Sequence, residues 1–262
     1  MNKLKLNYTS LSFLPILVCI PLGYQLINNI HFGGFKLFQE FLISAFNPKI
    51  DNEIIITVIK RLNETILIGF FSWLVSIIFG AIFGIISSNI FYKIFNIPNF
   101  FYRIIRFFLT IIRSIHEVVW GILLMQIYGI NFSIGIIAIC IPYIAVNSKV
   151  FAEQLETIDY KSFESINQIN APKFSSLLTL IWNPIINTFK NFGLYRLECS
   201  IRSTVILGLF GIGGIGTSIF LSFQTLNFRE LWTYLWSLAI LIILSGFCLL
   251  YTSPSPRDKH RS

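Results

Sequence analysis

Six apolar stretches, each long enough to cross a bilayer, recur along this 262-residue chain at roughly 11–30, 64–86, 106–128, 132–149, 185–222 and 231–251. A hydrocarbon core takes about 20 residues of helix. Inside it every backbone N–H and C=O must be satisfied within the helix or within a closed barrel. The runs are too long and too continuous for barrel strands. The expectation is an all-α, polytopic membrane protein with about six transmembrane helices. The fifth run exceeds one crossing, so it must be broken or lie partly outside.

Composition agrees. Hydrophobic residues make up 55% of the chain and charged residues 12%, about half the charged share of a soluble domain. Mean hydropathy is +0.72. The net charge of +8 therefore belongs with loops near anionic lipid, not with nucleic acid. Placing the N-terminus in the cytoplasm puts Lys3, Lys5, Lys93, Arg103, Arg106, Lys149, Lys161 and Lys173 on the inner side. The outer side then holds Lys36, Lys49, Lys60, Arg61 and Arg229, so the bias favours that orientation. The four cysteines (Cys19, Cys140, Cys199, Cys248) are widely spaced in apolar surroundings and read as small buried hydrophobes, with no metal spacing. The first run lacks a small-residue cleavage site and reads as a retained span. Residues 1–60 would form that span and an outer segment whose Phe35–Ile43 stretch can lie on the interface. Residues 61–251 would form the core. The tail TSPSPRDKHRS, within 252–262, cannot continue a span and reads as foreign or disordered.

The longest polar stretch between spans, Phe151 to Phe174, holds a short amphipathic helix. Asp159 or Ser162 can cap its start. Tyr160, Phe163, Ile166 and Ile169 recur every third residue, and Asn170 with Pro172 ends it. Such a face is buried either on the chain's own spans or in a groove of a partner.

In the fifth run, Tyr195, Glu198 and Arg202 share one helix face, with Arg196 beside it. Glu198 before Arg202 at i, i+4 is the favoured order for an ion pair. Counting from Asn183 at 1.5 Å per residue places them about 18–28 Å along the helix, at or beyond mid-membrane. A charge there must pair, face the bundle interior or line water. Arg113 and Glu117 have the same i, i+4 spacing near the third run and read as a bundle-stabilising pair first and a cytoplasmic gate second. His116 reads as a packing residue.

Gly208, Gly211, Gly213, Gly214 and Gly216 follow the apolar run, and Gly211-x-Gly213-x-x-Gly216 matches a dinucleotide fingerprint in spacing. That fingerprint needs a strand before it and a cytosolic βαβ unit, neither of which fits a span. Two readings stay open: close helix packing alone, or a packed and bendable part of a gate.

Three motifs carry a resemblance. Glu164-Ser-Ile-x-x-x-Asn170, followed by a hydrophobic stretch to Trp182-Asn183-Pro184, is similar to the EAA loop of ABC-importer permeases. Ser165 and Ile166 replace its alanines, and Asn170 replaces its glycine. LYRLECSIRSTVILGLFGIGGIG, Leu194 to Gly216, resembles the corresponding segment of phosphonate-importer permeases. Arg113-Ser-Ile-His-Glu-Val-Val-Trp120 resembles their Arg-x-Ile-Pro-Glu-Leu-Val-Trp, with His116 in the proline's place. Lys149 to Glu156 and Glu64-Thr-Ile-Leu-Ile also fit, so the resemblance runs from about residue 60 to 245.

It implies a type I ABC importer permease (MetI-like) fold in a bacterial plasma membrane. Tyr160, Phe163, Glu164, Ile166, Asn170 and Ala171 would couple to a cytosolic ABC ATPase dimer. Partners would be that ATPase, a second and identical permease copy, an extracytoplasmic binding protein and the bilayer, with no nucleic acid. The chain has no P-loop and no catalytic or metal residues are assigned, so it would be a transport subunit and not an enzyme, without a cofactor. Tyr195, Arg196, Glu198 and Arg202 would then be either a locked structural pair with its neighbours or a pathway receiving an anionic phosphonate. Phosphite, phosphate or another small anion is the alternative solute. An ion-coupled secondary transporter would need unpaired intramembrane carboxylates and repeats. An intramembrane hydrolase on His116 and Glu117 would need a partner nucleophile or a metal motif, and H-E-x-x-H is absent from the sequence.

Overall fold

A computed structural model describes Pro21, residues 32–158 and residues 172–252. Every regular element among these residues is helical. The chain divides into two compact units, Met1–Pro48 and Lys49–Ser262. The first holds α1 (Phe32–Ser44), whose Phe35, Phe38 and Ile43 are exposed. The second holds α2 (Asn52–Ile86), α3 (Asn89–Phe95), α4 (Phe100–Ser114), α5 (Glu117–Tyr128), α6 (Phe132–Glu156), α7 (Lys173–Thr188), α8 (Leu194–Gly208), α9 (Ile215–Gln224) and α10 (Phe228–Thr252).

α2 and α6 form the central pair. Their approach follows from Ser72, Ser76, Gly80 and Gly84, spaced every fourth residue along α2, the small-residue pattern that lets membrane helices touch. A Cβ at Gly80 would sit 2.5 Å from Asn147 Cβ, and one at Gly84 would sit 2.6 Å from Phe151 Cβ. Polar groups are partly satisfied within this contact, the Asn147 Oδ1 being buried without a hydrogen-bond partner among the described residues. Ser72 donates to the Ile68 carbonyl at 2.7 Å, and Asn147 Nδ2 donates to Ser76 Oγ at 3.3 Å. Cys140, buried as the sequence suggests, approaches the Ser72 carbonyl at 3.5 Å. α8 packs along α2 in the same way. Ser200 Oγ donates to the Gly69 carbonyl at 2.8 Å, and a Cβ on Gly69 would stand 3.0 Å from Ile201.

The third apolar run is two helices, not one. α4 and α5 meet at 85°. Ile115 is extended, and His116 is the N-cap of α5, its Nδ1 accepting from Val118 N–H at 3.3 Å. His116 is therefore a helix cap with its side chain 62% exposed. It is not the packing residue expected.

The fifth run is broken twice. Pro184 lies inside α7, and Thr188 Oγ1 donates back to its carbonyl at 2.8 Å. A π turn, Phe189–Gly193, then joins α7 to α8. Such wider turns hold an extra residue and expose a carbonyl to a side-chain partner. Here Trp73 Nε1 donates to the Gly193 carbonyl at 2.6 Å. The second break is the glycine loop between α8 and α9.

Among the described residues three helices, α2, α6 and Phe228–Phe247 of α10, are long and apolar enough to cross a membrane, and four if the bent pair counts as one span. The first apolar run, 11–30, apart from Pro21, and the tail, 253–262, lie outside the described residues. The main core cluster joins Ile68, Ala138, Ile139, Tyr143, Leu207 and Ile212. It unites α2, α6, α8 and the glycine loop, and so fixes the elements that carry the polar groups described next.

Candidate functional site

α8 has two unlike faces. Ser200, Ser203, Thr204, Leu207 and Gly208 are buried against the bundle. Tyr195, Arg202 and Ile206 are exposed. A helix buried on one side and carrying a guanidinium on the other presents that charge to a cavity or a partner, because lipid would leave it unsatisfied. Arg202 Nη2 is paired with Glu198 Oε1 one turn back. The glutamate side chain is 15% exposed and the arginine 54%. Among the described residues one guanidinium nitrogen is used, and the side chain lies on the open face.

Arg196 lies elsewhere. Its guanidinium carbon stands 3.8 Å from the Tyr143 ring centroid and 5.8 Å from that of Phe192, and its Nε is buried without a hydrogen-bond partner. Cation–π contact with a desolvated tyrosine is worth about 2 kcal/mol and offsets part of that burial. Beside it runs a polar chain. Ser203 Oγ donates to Glu117 Oε1 at 2.6 Å, and Tyr143 OH is 2.8 Å from Ser203 Oγ. Ser203 has one proton, given to the carboxylate, so Tyr143 donates to Ser203. Glu117 also begins α5, where the helix dipole favours an anion, and sits 3.5 Å from His116 Nδ1.

The expected Arg113–Glu117 pair is not formed. The break at Ile115 and His116 removes the continuous helix that i, i+4 spacing assumes. Glu117 turns to Ser203 on α8, while Arg113 lines a cavity between α4 and α6. Tyr143 and Ser203, the partners that matter here, were not legible in sequence. Their contact joins positions 60 residues apart and no local spacing marks it.

The glycine loop is held from α2. Gly214 N–H donates to Glu64 Oε2 at 3.2 Å and Ile215 N–H donates to Thr65 Oγ1 at 2.9 Å. Arg61 Nη1 holds the same Glu64 oxygen at 2.8 Å. Glu64 thus sits where the first free N–H groups of α9 point, a placement the dipole favours. A carboxylate there repels a phosphate, so the loop is no nucleotide cradle. Gly208 and Gly216 touch. A Cβ on Gly208 would stand 2.9 Å from Gly216 Cα, and one on Gly216 would collide with the Val205 carbonyl. Gly213 differs: nothing lies within 4 Å of its Cβ direction, and its requirement is φ of +120°. Gly214 combines both, with φ of +77° and Thr65 Oγ1 2.6 Å from a built Cβ. Gly211 has φ of +94°.

Tyr160, Phe163, Glu164, Ile166, Asn170 and Ala171 lie outside the described residues. The segments flanking them are described. Glu156 at the foot of α6 is bonded by Arg106 and accepts from Asn89 N–H at 3.0 Å. Among the described residues no cluster of three or more His, Cys, Asp or Glu could hold a metal.

Comparison with known proteins places these features. No family model matches the chain. It is 24% identical, over 61% of its length and 56% of the relative's, to the phosphite transport system permease protein PtxC of Stutzerimonas stutzeri. It is 26% identical to the phosphate-import permease protein PhnE of Mycolicibacterium smegmatis, over 44% of this chain and 21% of that one. A cryptic transport-system permease of Escherichia coli K12, PhnE2, provisionally named for phosphonate, matches at 28% over 47% of this chain and 98% of its own length. The chain thus spans about half, or less, of the length of the first two relatives. In fold it matches inward-facing structures of the MetNI methionine ABC transporter, with TM-scores of 0.63 and 0.67 at 17% and 15% identity, over 78% of this chain and all of theirs. The expected ABC importer permease fold is the observed one.

Proposed function

We infer that this chain, a relative of phosphite, phosphate and phosphonate permeases, is the membrane-spanning permease subunit of an ATP-driven importer for a small phosphorus oxyanion, phosphonate foremost. The observation that carries the reading is the sequence match to permeases named for those three solutes. The Leu194–Gly216 segment adds to it, because that stretch is the one in which the resemblance is most specific.

The geometry supports a division of labour. α8 offers its exposed Tyr195 and Arg202 to a pathway formed with a second permease copy. A guanidinium suits an oxyanion because its planar fork gives two parallel N–H bonds. The Glu198 partner keeps that charge from holding the solute tightly, which a pathway must avoid. The glycine loop, pinned to α2 by Glu64 and Thr65, is a natural outer gate, since α8 and α9 touch there with no side chains between them. The segment from Tyr160 to Ala171 leaves the foot of α6 and would dock a separate cytosolic ATPase, which hydrolyses ATP. A binding protein on the outer side would deliver the solute, and the chain would sit in a bacterial plasma membrane with its N-terminus inside.

Affinity purification from native membranes tests this reading. A stoichiometric P-loop ATPase should accompany the chain, and proteoliposomes of the complex with its binding protein should take up labelled phosphonate only with ATP. Uptake driven by an ion gradient, with no ATPase bound, would replace it with a secondary transporter. Competition by phosphite or phosphate would reassign the solute within the same class.

A further inference from the structure

Between α4 and α6 lies a cavity of about 120 Å3 lined by Arg106, Arg113, Lys149 and Glu153, with Thr110 and Ser148 beside them. The lining has more positive than negative groups. Glu153 is held by Lys149 at 3.5 Å, and Arg106 is paired with Glu156. Arg113, half-buried, has no ion-pair partner among the described residues. The break before α5 has taken away the carboxylate that its spacing promised it.

The hydroxyls add a second constraint. Thr110 donates to the Arg106 carbonyl at 2.7 Å and Ser148 to the Ala145 carbonyl at 2.9 Å. Their protons are committed, so donors into the cavity come from the cations alone. α4 is built to present them. Arg103, Arg106, Thr110 and Arg113 follow one another at three- and four-residue steps on one face, while Phe101, Phe108 and Ile111 are exposed on the other. A half-buried guanidinium beside a cavity needs an anion or water. The volume is well above the roughly 10–15 Å3 that one water needs, which leaves room for one tetrahedral oxyanion.

We propose that this cavity is a binding site for a tetrahedral phosphorus oxyanion, bridged by the Arg113 fork from α4 and Lys149 from α6. A free phosphate-type anion and a phospholipid headgroup share that chemistry. Because the site joins α4 to the last turns of α6, which lead directly into residues 159–171, its occupancy ties the two helices at the end of the bundle that carries the coupling segment. The site is separate from the α8 face and does not depend on the transport reading.

The full-length chain in nanodiscs of neutral phosphatidylcholine provides the test, with inorganic phosphate as the probe in titration calorimetry. Saturable binding is expected, weakened at least tenfold in Arg113→Gln and Lys149→Gln, kept in part by Arg113→Lys, and unchanged in Lys93→Gln, an exposed cation outside the cavity lining. Thermal melting checks that each variant is folded. Repeating the titration in discs containing phosphatidylglycerol identifies the source. Undiminished phosphate binding supports a free anion. Loss of it in wild type, with Arg113→Gln insensitive to the lipid, supports a headgroup in the same site. Absence of Arg113-dependent binding in both kinds of disc overturns the proposal. The titration needs neither ATP nor a binding protein, so a failed uptake assay does not decide it.

Discussion

Glu198 and Arg202 make the residue-scale question concrete, because one pair can be both a lock and a receiver of solute. At the membrane depth expected from sequence a charge costs a few kcal/mol if left alone, and removing one partner of an ion pair strands the other. The Glu198→Gln/Arg202→Gln double variant should therefore transport better than either single variant. The coupling should be about 1 kcal/mol, discounted for the half-exposed arginine. Uptake rates across the four-member cycle measure it. Should Arg202 also meet the anion, the apparent KM rises in Arg202→Gln and the second substitution does not restore it. Arg196 belongs to a different question. Stacked on Tyr143 with its Nε unpaired, it is a structural cation, and its neighbour Ser203 joins Glu117 to Tyr143. Sequence placed Arg196 beside the face of Tyr195, Glu198 and Arg202, yet could not tell the buried side from the open one, since that depends on which helix packs where.

At the element scale, the glycine loop and its clamp decide how α8 and α9 meet. The individual glycines should not behave alike. Gly216→Ala forces a Cβ into the Val205 carbonyl, and Gly208→Ala drives one against Gly216, so both should separate the helices. Gly213→Ala meets no atom and should lose only the cost of a non-glycine at positive φ, about 1–3 kcal/mol. Melting temperatures of the purified variants should rank Gly213→Ala above the other two, and equal losses would show that backbone strain, not contact, governs the loop. Glu64→Gln keeps an acceptor for Gly214 but removes the charge at the start of α9 and from Arg61. A loss of about 1 kcal/mol is expected, seen as a lower melting temperature. How much of this was legible follows from range. The helices, the break in the fifth run and the glycine turn could be read locally, from apolar run lengths and residues without side chains. The Glu64–Gly214 bond spans 150 positions and could not. The bend between α4 and α5 was hidden for another reason: neither glycine nor proline marks it, and a histidine cap makes it. The stripe Ser72, Ser76, Gly80, Gly84 was present as a pattern, but small residues in a long apolar run look like filler until a facing helix is known.

For the whole molecule, the proposed function requires nucleotide-driven closure of a separate ATPase to reach the glycine loop through the spans. The route has two ends among the described residues. At one, α6 and α7 emerge around residues 159–171, with Glu156 clasped by Arg106 and the Asn89 N–H. At the other, α8 meets α9 under the Glu64 clamp. Between them, α2 touches α6 through its small-residue stripe and α8 through Gly69, so on the proposed function these close contacts would carry a displacement of α6. Glu164→Lys reverses a charge in the proposed coupling helix while leaving every span intact. It should insert at wild-type levels, lose most of the copurifying ATPase and abolish ATP-dependent uptake. A purely structural role predicts reduced membrane levels instead, and wild-type uptake with the ATPase still bound would move the docking surface elsewhere. Gly80→Leu supplies the complementary arm: by wedging α2 from α6 it should leave ATPase binding unchanged yet sever uptake from hydrolysis. Pull-down and ATPase activity measured on the same preparation separate these outcomes, because docking and transmission then fail independently.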